Sequence, residues 1–285
     1  MNRTKLAVPA IIIATAIGAS SGLYIKSLPF SSFALTGFRM SIPFLFFLPL
    51  MIKRGLVLGK KENRNKVLLG SSLNATRMFL YVLAYKLTTI TNAVVLLYLW
   101  PIFALLLDNI IYKKRLKLNE FLILFMALFG VVLLNIQKGF SISGNDLLGS
   151  IIMIFSALIF SITMLVFKEI LNGHSEGETL FFQNAIGAIV FIPFLLMELP
   201  NIPFADTSLA LIYGFSVGIL GFGLFFYALK RLSIFQYGAL GYTEVFFGVF
   251  YGVLLLGEGL TLNIIIGVIL ILSSSFLSRF SSKIR

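Results

Sequence analysis

The sequence predicts an all-α membrane protein of ten transmembrane helices, arranged as two inverted five-helix repeats with both termini cytoplasmic. Three observations predict it: 59% hydrophobic residues against 12% charged, apolar runs of transmembrane length between short polar connectors, and a repeat that aligns the halves at one constant offset. A water-soluble domain carries roughly 25% charged residues. With a mean hydropathy of +1.00 over 285 residues, there is more apolar surface than a globule can enclose. The bilayer must therefore be the solvent for most of the chain.

Apolar runs of about 20 residues read as membrane-spanning helices. They place spans at 7–26, 31–52, 67–86, 90–111, 119–137, 147–168, 179–197, 208–229, 235–256 and 262–280. The connectors carry the Gly, Pro, Asn and charged residues expected between helices. No segment alternates with period two, and open sheets exposed to lipid are forbidden. The run Leu6–Ile25 is long for a signal peptide and has a partner in the second half, so it is expected to be retained.

Orientation follows from Lys and Arg, which favour cytoplasmic loops. An inside N-terminus puts eighteen of the 23 basic residues on the cytoplasmic side, from Arg3 and Lys5 to Lys283 and Arg285. Only Lys26, Lys86 and Lys138 face outward, while Arg39 and Arg77 fall inside spans. Both termini are therefore expected in the cytoplasm.

A shift of 144 residues superimposes the halves, 1–140 and 141–285, without a gap from the second span to the fifth. Ile42/Ile186, Pro49/Pro193, Gly70/Gly214, Lys86/Lys230, Tyr98/Tyr242 and Asn119/Asn263 are among the identities. A constant offset that follows helix order marks an internal duplication. Five helices per half is an odd number, so the halves insert with opposite orientation. Inverted repeats are the architecture of secondary transporters, because two packings of similar energy expose one central site to either side.

The same composition excludes other classes. There are no cysteines and a single histidine, which removes disulfides, thiol nucleophiles and Cys/His metal centres. That histidine, His174, falls in the polar connector 172–178 and is expected in a solvated loop. The net charge of +12 comes from short clusters between apolar runs, without the basic aromatic face that nucleic acid requires. No Gly-rich phosphate loop with Lys is present, so the chain does not drive transport with ATP by itself. An enzyme is not expected. The remaining rival is a membrane channel or scaffold.

Charge inside a span costs about 2.5–3.5 kcal/mol at the helix centre, so such residues face the bundle interior. Asp108 and Glu120 lie close enough to the interface to pair with neighbouring lysines. Arg39, Arg77 and Glu244 each sit about nine residues into their span, near mid-depth at 1.5 Å per residue. A buried ion pair would use Glu244 and only one arginine. The other favours a substrate carboxylate, which a guanidinium grips with two parallel bonds. Asn74, Tyr81, Tyr98, Trp100, Gln183 and Tyr242 are expected around these charges as further substrate-binding residues. Trp100 is the only tryptophan, placed mid-span as an aromatic wall. Pro101 is expected to kink the fourth span and free a carbonyl toward the cavity. Gly214/Gly218 and Gly248/Gly252 form small-xxx-small faces suited to close helix packing.

Two stretches carry a family resemblance. Ala84-Tyr85-Lys86, Thr91-Asn92-Ala93-Val94-Val95 and Tyr98-Leu99-Trp100-Pro101-Ile102-Phe103 recur in register as 228–263, which end in Leu256-Gly257-Glu258-Gly259-Leu260-Thr261. They resemble the EamA domain of the drug/metabolite transporter superfamily, as two tandem units over nearly the whole chain. In the first half, 113–117 replaces the Gly-Glu-Gly-Leu-Thr string, and Glu244-Val245 stands where Trp100-Pro101 stands. The Tyr-Leu-Trp-Pro string is similar to the aromatic amino-acid exporters, and the Arg77 helix resembles the branch that takes up S-adenosylmethionine. The resemblance implies movement of an amino acid or related zwitterionic or anionic metabolite across a bacterial inner membrane by alternating access. The expected partners are that small molecule, protons and the lipid bilayer, with no cofactor, in a monomer or weak homodimer. Glu244 is the expected coupling carboxylate.

Overall fold

The structure, a computed structural model, describes residues 6–55, 59–136, 144–256, 259 and 261–281. The orientation-setting charges Arg3, Lys5, Lys138, Lys283 and Arg285, and the Gly257-Glu258 pair, lie outside the described residues. Within them, every regular element is helical. In the first half these are α1 (Ala7–Gly18), α2 (Ser21–Ser27), α3 (Ser32–Lys53), α4 (Arg64–Leu87), α5 (Ile90–Leu97), α6 (Trp100–Ile111) and α7 (Leu118–Asn135). The second half has α8 (Asn145–Ile170), α9 (Glu176–Glu198), α10 (Phe204–Phe215), α11 (Phe222–Arg231), α12 (Ile234–Gly241), α13 (Thr243–Leu256) and α14 (Leu262–Ser281).

Nine helical stretches among the described residues are long and apolar enough to cross a membrane. The expected span 235–256 is not one of them; it is divided at Tyr242 into α12 and α13. The outer surface is apolar at all levels, with Phe46, Phe125, Phe155, Ile189 and Phe276 each more than half exposed. A face of that kind matches hydrocarbon, not water.

The duplication reaches down to the capping chemistry. Ser31 and Ser175, 144 residues apart, start α3 and α9 by accepting from the backbone N–H of Ala34 and Glu178. Thr89 and Ser233, again 144 apart, start α5 and α12 in the same way. An N-cap oxygen satisfies one of the orphan donors of a first turn, so these pairs set equivalent start points in the two halves.

Lysines reinforce the ends of the helices by donating to backbone carbonyls. Lys26 reaches Thr88 O at 2.8 Å and Lys86 reaches Leu28 O at 2.9 Å, tying the end of α2 to the end of α4. In the second half Lys168 reaches Leu229 O at 3.1 Å and also Leu232 O, and Lys230 reaches His174 O at 3.0 Å. Each strap stays within its own half.

Packing also repeats when the halves are exchanged. α4 lies along α8 as α11 lies along α1, while α3 pairs with α9 and α7 with α14. The α7–α14 crossing is close because two glycines meet there. A Cβ at Gly267 would fall 2.7 Å from Gly130 O, and one at Gly130 would fall 2.8 Å from Gly267 O.

His174 departs from expectation. It is 4% exposed and its Nδ1 lies 3.1 Å from Glu178 Oε2, below the ring edge of Phe182. The connector folds back against α9, so a polar stretch that reads as solvated is in fact covered. Asp108 and Glu120 pair with Lys114 at 2.8 Å and Lys117 at 3.8 Å.

Candidate functional site

Four interrupted helices make the centre of the bundle, the first of them broken at Ala19–Ser20 between α1 and α2. The fourth span breaks at Tyr98–Leu99 and the ninth at Tyr242, positions equivalent under the 144-residue shift. The two tyrosine rings stack with centroids 5.4 Å apart, and the Tyr242 hydroxyl donates to Tyr98 O at 2.8 Å. Pro101 does not kink a continuous helix as expected. It occupies the first turn of a new one, α6, where a missing N–H costs nothing. The nearby carbonyls are also taken up by protein: Tyr98 O by Tyr242, and Trp100 O by the Ser161 hydroxyl at 2.8 Å. In the eighth span, Ser216–Gly221 winds as a π-helix between α10 and α11. Such turns insert one residue and recur at functional sites.

The breaks surround a small chamber of about 60 Å³, lined by Arg39, Arg77, Tyr81, Trp100, Tyr213 and Glu244 among others. Arg39 and Arg77 are 2% and 4% exposed. Each guanidinium lies over an aromatic face: Arg39 is 4.5 Å from the Phe222 centroid and Arg77 is 4.4 Å from that of Phe160. Cation–π contact steadies a desolvated guanidinium without neutralising it. No carboxylate among the described residues comes within 4.0 Å of either arginine. Arg77 donates from Nη2 only to Met78 Sδ, at 3.4 Å, and its Nε is unpartnered. The Tyr213 hydroxyl, on the same chamber, also lacks a partner.

Arg39 fits because Gly218 has no side chain. A Cβ there would sit 3.1 Å from Arg39 Nη1 and 2.8 Å from Pro43 Cγ. In the other half the corresponding contact is filled. Gln183 stands at the position equivalent to Arg39 and Asn74 at that equivalent to Gly218; Asn74 Nδ2 donates to Gln183 O at 2.9 Å. The symmetric frame thus holds a charged, open contact on one side and a neutral, closed one on the other. Asn74 and Gln183 bond each other, with Gln183 Oε1 left over, and line neither cavity.

Glu244 separates the chamber from a larger vestibule of about 310 Å³. Gly18, Tyr81, Leu97 and Glu244 border both spaces. A Cβ at Gly18 would lie 3.0 Å from Glu244 Oε1, so this glycine makes room for the carboxyl group. The vestibule wall adds Tyr85, Tyr98, Val94, Val245, Gly248 and Tyr251 and extends toward Leu23 and Ile90, both 41% exposed. Gly248 has open space where its Cβ would be, so it shapes the vestibule and does not pack a helix as expected. Gly214 does pack, against Ile42 and Phe38 O, whereas the surroundings of Gly252 lie outside the described side chains. Tyr242 is fully buried and lines neither space.

On the side of the chamber away from the vestibule, Trp100 meets Phe160 at 5.0 Å and Tyr237 at 5.7 Å, and Tyr237 meets Phe225 at 6.0 Å. Beyond this aromatic floor the halves are cross-linked by Arg54–Glu178 at 2.9 Å and Lys66–Glu169 at 2.5 Å. The path is wide on one side of Glu244 and plugged on the other. Sequence reading did not single out Tyr85, Phe160, Tyr213, Phe222 or Tyr237. Buried tyrosines mid-span were the available signal for Tyr213 and Tyr237; the two phenylalanines have none among 30.

Comparison with known proteins agrees with this architecture. The EamA-like transporter family matches residues 5–136 and again residues 147–280. An uncharacterized transporter of Bacillus subtilis, YxxF, is 28% identical over 242 residues, covering 81% of this chain and 76% of its own. An uncharacterized transporter of Archaeoglobus fulgidus is 23% identical over 269 residues, 93% of each chain. A protein solved as a crystal structure superimposes with a TM-score of 0.75 at 20% identity over 98% of both chains, a likeness of fold.

Proposed function

We propose a function from the premise that this chain belongs to the EamA-like transporter family. The protein is a membrane transporter and not an enzyme. In our reading it is a secondary transporter of ten spans, built from inverted repeats 1–140 and 141–285 with both termini cytoplasmic. It moves a small metabolite, an amino acid or related zwitterionic or anionic compound, across the cell membrane by alternating access.

One observation carries the reading: two buried arginines and Glu244 line a chamber that shares a wall at Glu244 with a wider vestibule and is floored by aromatic rings. A channel needs a continuous path, and a scaffold has no reason to bury two unpaired cations in its centre. With the termini inside, the vestibule lies toward the outer face, so the conformation described is outward-open. Arg39 and Arg77 take the anionic end of the substrate. Glu244, at the threshold, exchanges a proton as the substrate enters and leaves.

The reading is tested with the purified full chain in proteoliposomes loaded with a mixture of labelled amino and organic acids. Saturable efflux that is accelerated by unlabelled metabolite on the opposite side, and that is lost in Arg77→Ala, is the expected result. Flux that rises linearly with concentration without trans-acceleration would make the protein a channel, and no flux would make it a scaffold. Reporter fusions after residues 60, 115 and 285 should all report cytoplasm; a periplasmic signal at 285 would break the ten-span inverted arrangement.

A further inference from the structure

We infer that the central site selects a substrate with net negative charge: an organic monoanion whose carboxylate enters the arginine chamber and whose apolar body stays in the vestibule. This rests on the transport reading above and narrows it, because a zwitterionic amino acid carries no net charge.

The first argument is a charge count. Arg39 and Arg77 line one chamber, both nearly without exposure, and no carboxylate of the described residues pairs with either. Glu244 adds at most one negative charge at the boundary. The three groups therefore carry an excess of at least one positive charge, whichever form of Glu244 is present. A buried charge without a counterion is strongly unfavourable, and a ligand that brings one negative charge neutralises the site. A zwitterion leaves the excess in place.

The second argument is the donor set. Arg77 Nε and the Tyr213 hydroxyl are buried without acceptors on the wall of this chamber. Buried polar atoms are nearly always bonded, and two orphans facing one chamber beside an uncompensated charge suit a ligand there. Guanidinium edges only donate and a phenol can donate beside them, which suits an oxyanion. The one carboxylate on the wall that could hold an ammonium group by charge, Glu244, stands at the threshold shared with the vestibule.

The third argument is size. A cavity needs about 10–15 Å³ to hold one water molecule, so a chamber of about 60 Å³ takes a carboxylate and the carbon that bears it. The rest must occupy the vestibule, whose wall near Glu244 is Leu97, Val94 and Val245 with the rings of Tyr81 and Tyr98. That wall receives an aliphatic or aromatic body.

The protein carries its own reporter. Trp100 is the single tryptophan of the chain and lines the chamber, so its fluorescence reads occupancy directly. The probes are 3-phenylpropionate and L-phenylalanine, which share a carbon skeleton and differ by the ammonium group, added to the full chain in nanodiscs with excitation beyond phenyl absorbance. The expected result is a saturable change in Trp100 emission with 3-phenylpropionate, and at least a tenfold higher concentration needed for L-phenylalanine. Glu244→Gln provides a second reading of opposite sign for the two ligands. Removing the negative charge tightens the carboxylate several-fold, whereas a zwitterion held by Glu244 would be weakened. L-phenylalanine binding as well as the carboxylate, weakening of both by Glu244→Gln, or no response to either probe overturns the inference. Counterflow of the bound probe in proteoliposomes separates the two levels. Binding without exchange leaves the charge rule standing and removes the transport reading; exchange of amino acids but not of 3-phenylpropionate does the reverse.

Discussion

The stacked tyrosines at the pseudo-two-fold position support a prediction that can be worked from one hydrogen bond. Tyr242 donates its hydroxyl to Tyr98 O at 2.8 Å, while the Tyr98 hydroxyl, its equivalent, is turned to the Glu244 carboxyl group. If inverted halves exchange conformations during transport, the opposite state has the reciprocal bond, from Tyr98 to the Tyr242 carbonyl. Tyr242→Phe then removes a bond from the conformation described and none from the other. A buried neutral hydrogen bond contributes about 1 kcal/mol, which moves a two-state equilibrium about fivefold. Tyr98→Phe removes the reciprocal bond from the other state but also the contact with Glu244 in this one, so it moves the equilibrium the other way by less than about fivefold, or not at all. The assay is alkylation of Gly248→Cys, a vestibule position with open space around its Cβ. Vestibule labelling should fall in Tyr242→Phe and hold or rise in Tyr98→Phe. Movement of both in the same direction, in variants that remain folded, would refute the reciprocal arrangement.

Other outcomes follow from contacts elsewhere in the bundle. Gly267→Leu puts side-chain atoms where Gly130 O and Leu134 Cγ are already at 2.7 Å from the Cβ position, and overpacking of this kind costs about 1–3 kcal/mol; thermal unfolding in detergent should report a clear loss. Gly18→Leu pushes on the Glu244 carboxyl group from 3.0 Å and should abolish exchange while leaving unfolding temperature within a few degrees. Arg54→Ala breaks an ion pair whose arginine side chain is 49% exposed; such pairs contribute about 0–1 kcal/mol, so unfolding should barely change, and high salt should reproduce the effect. Asn74→Leu removes the donor to Gln183 O and the acceptor of Gln183 Nε2, leaving that buried amide donor unsatisfied at a cost of about 1–3 kcal/mol; it should lower stability without altering substrate preference.

The parts of this fold legible in the sequence are those set by the solvent and by the duplication. Runs of transmembrane length, the offset of 144, and the arginines and glutamate at mid-depth are properties of position along the chain. What escaped reading was decided by partners far away in sequence. Asn74 and Gln183 look like site residues by depth, yet they are 109 positions apart and bond each other. Tyr242 lies beside the site by sequence but is fully buried with its hydroxyl on Tyr98 O. Pro101 signalled a break, and the break falls before it, because a proline suits the first turn of α6. His174 sits in a polar stretch and is buried, since α9 begins with a capping box that folds the connector back onto it. The π-turn at Ser216–Gly221 has no local signature beyond its glycines.

The lysine straps divide the bundle mechanically. Lys26, Lys86, Lys168 and Lys230 each hold a carbonyl of their own half, and none crosses to the other. The charged ties that cross beneath the aromatic floor include Arg54–Glu178 and Lys66–Glu169, whose basic side chains are about half exposed. Exposed pairs are screened within about a Debye length of 8 Å at physiological ionic strength. Elsewhere the halves are joined by apolar packing of α3 on α9, α4 on α8 and α7 on α14 and by buried bonds such as Tyr242 to Tyr98 O, which salt does not screen. Electrolyte concentration therefore acts on one face of the seam between the halves, easing their parting there while the packed remainder serves as the pivot.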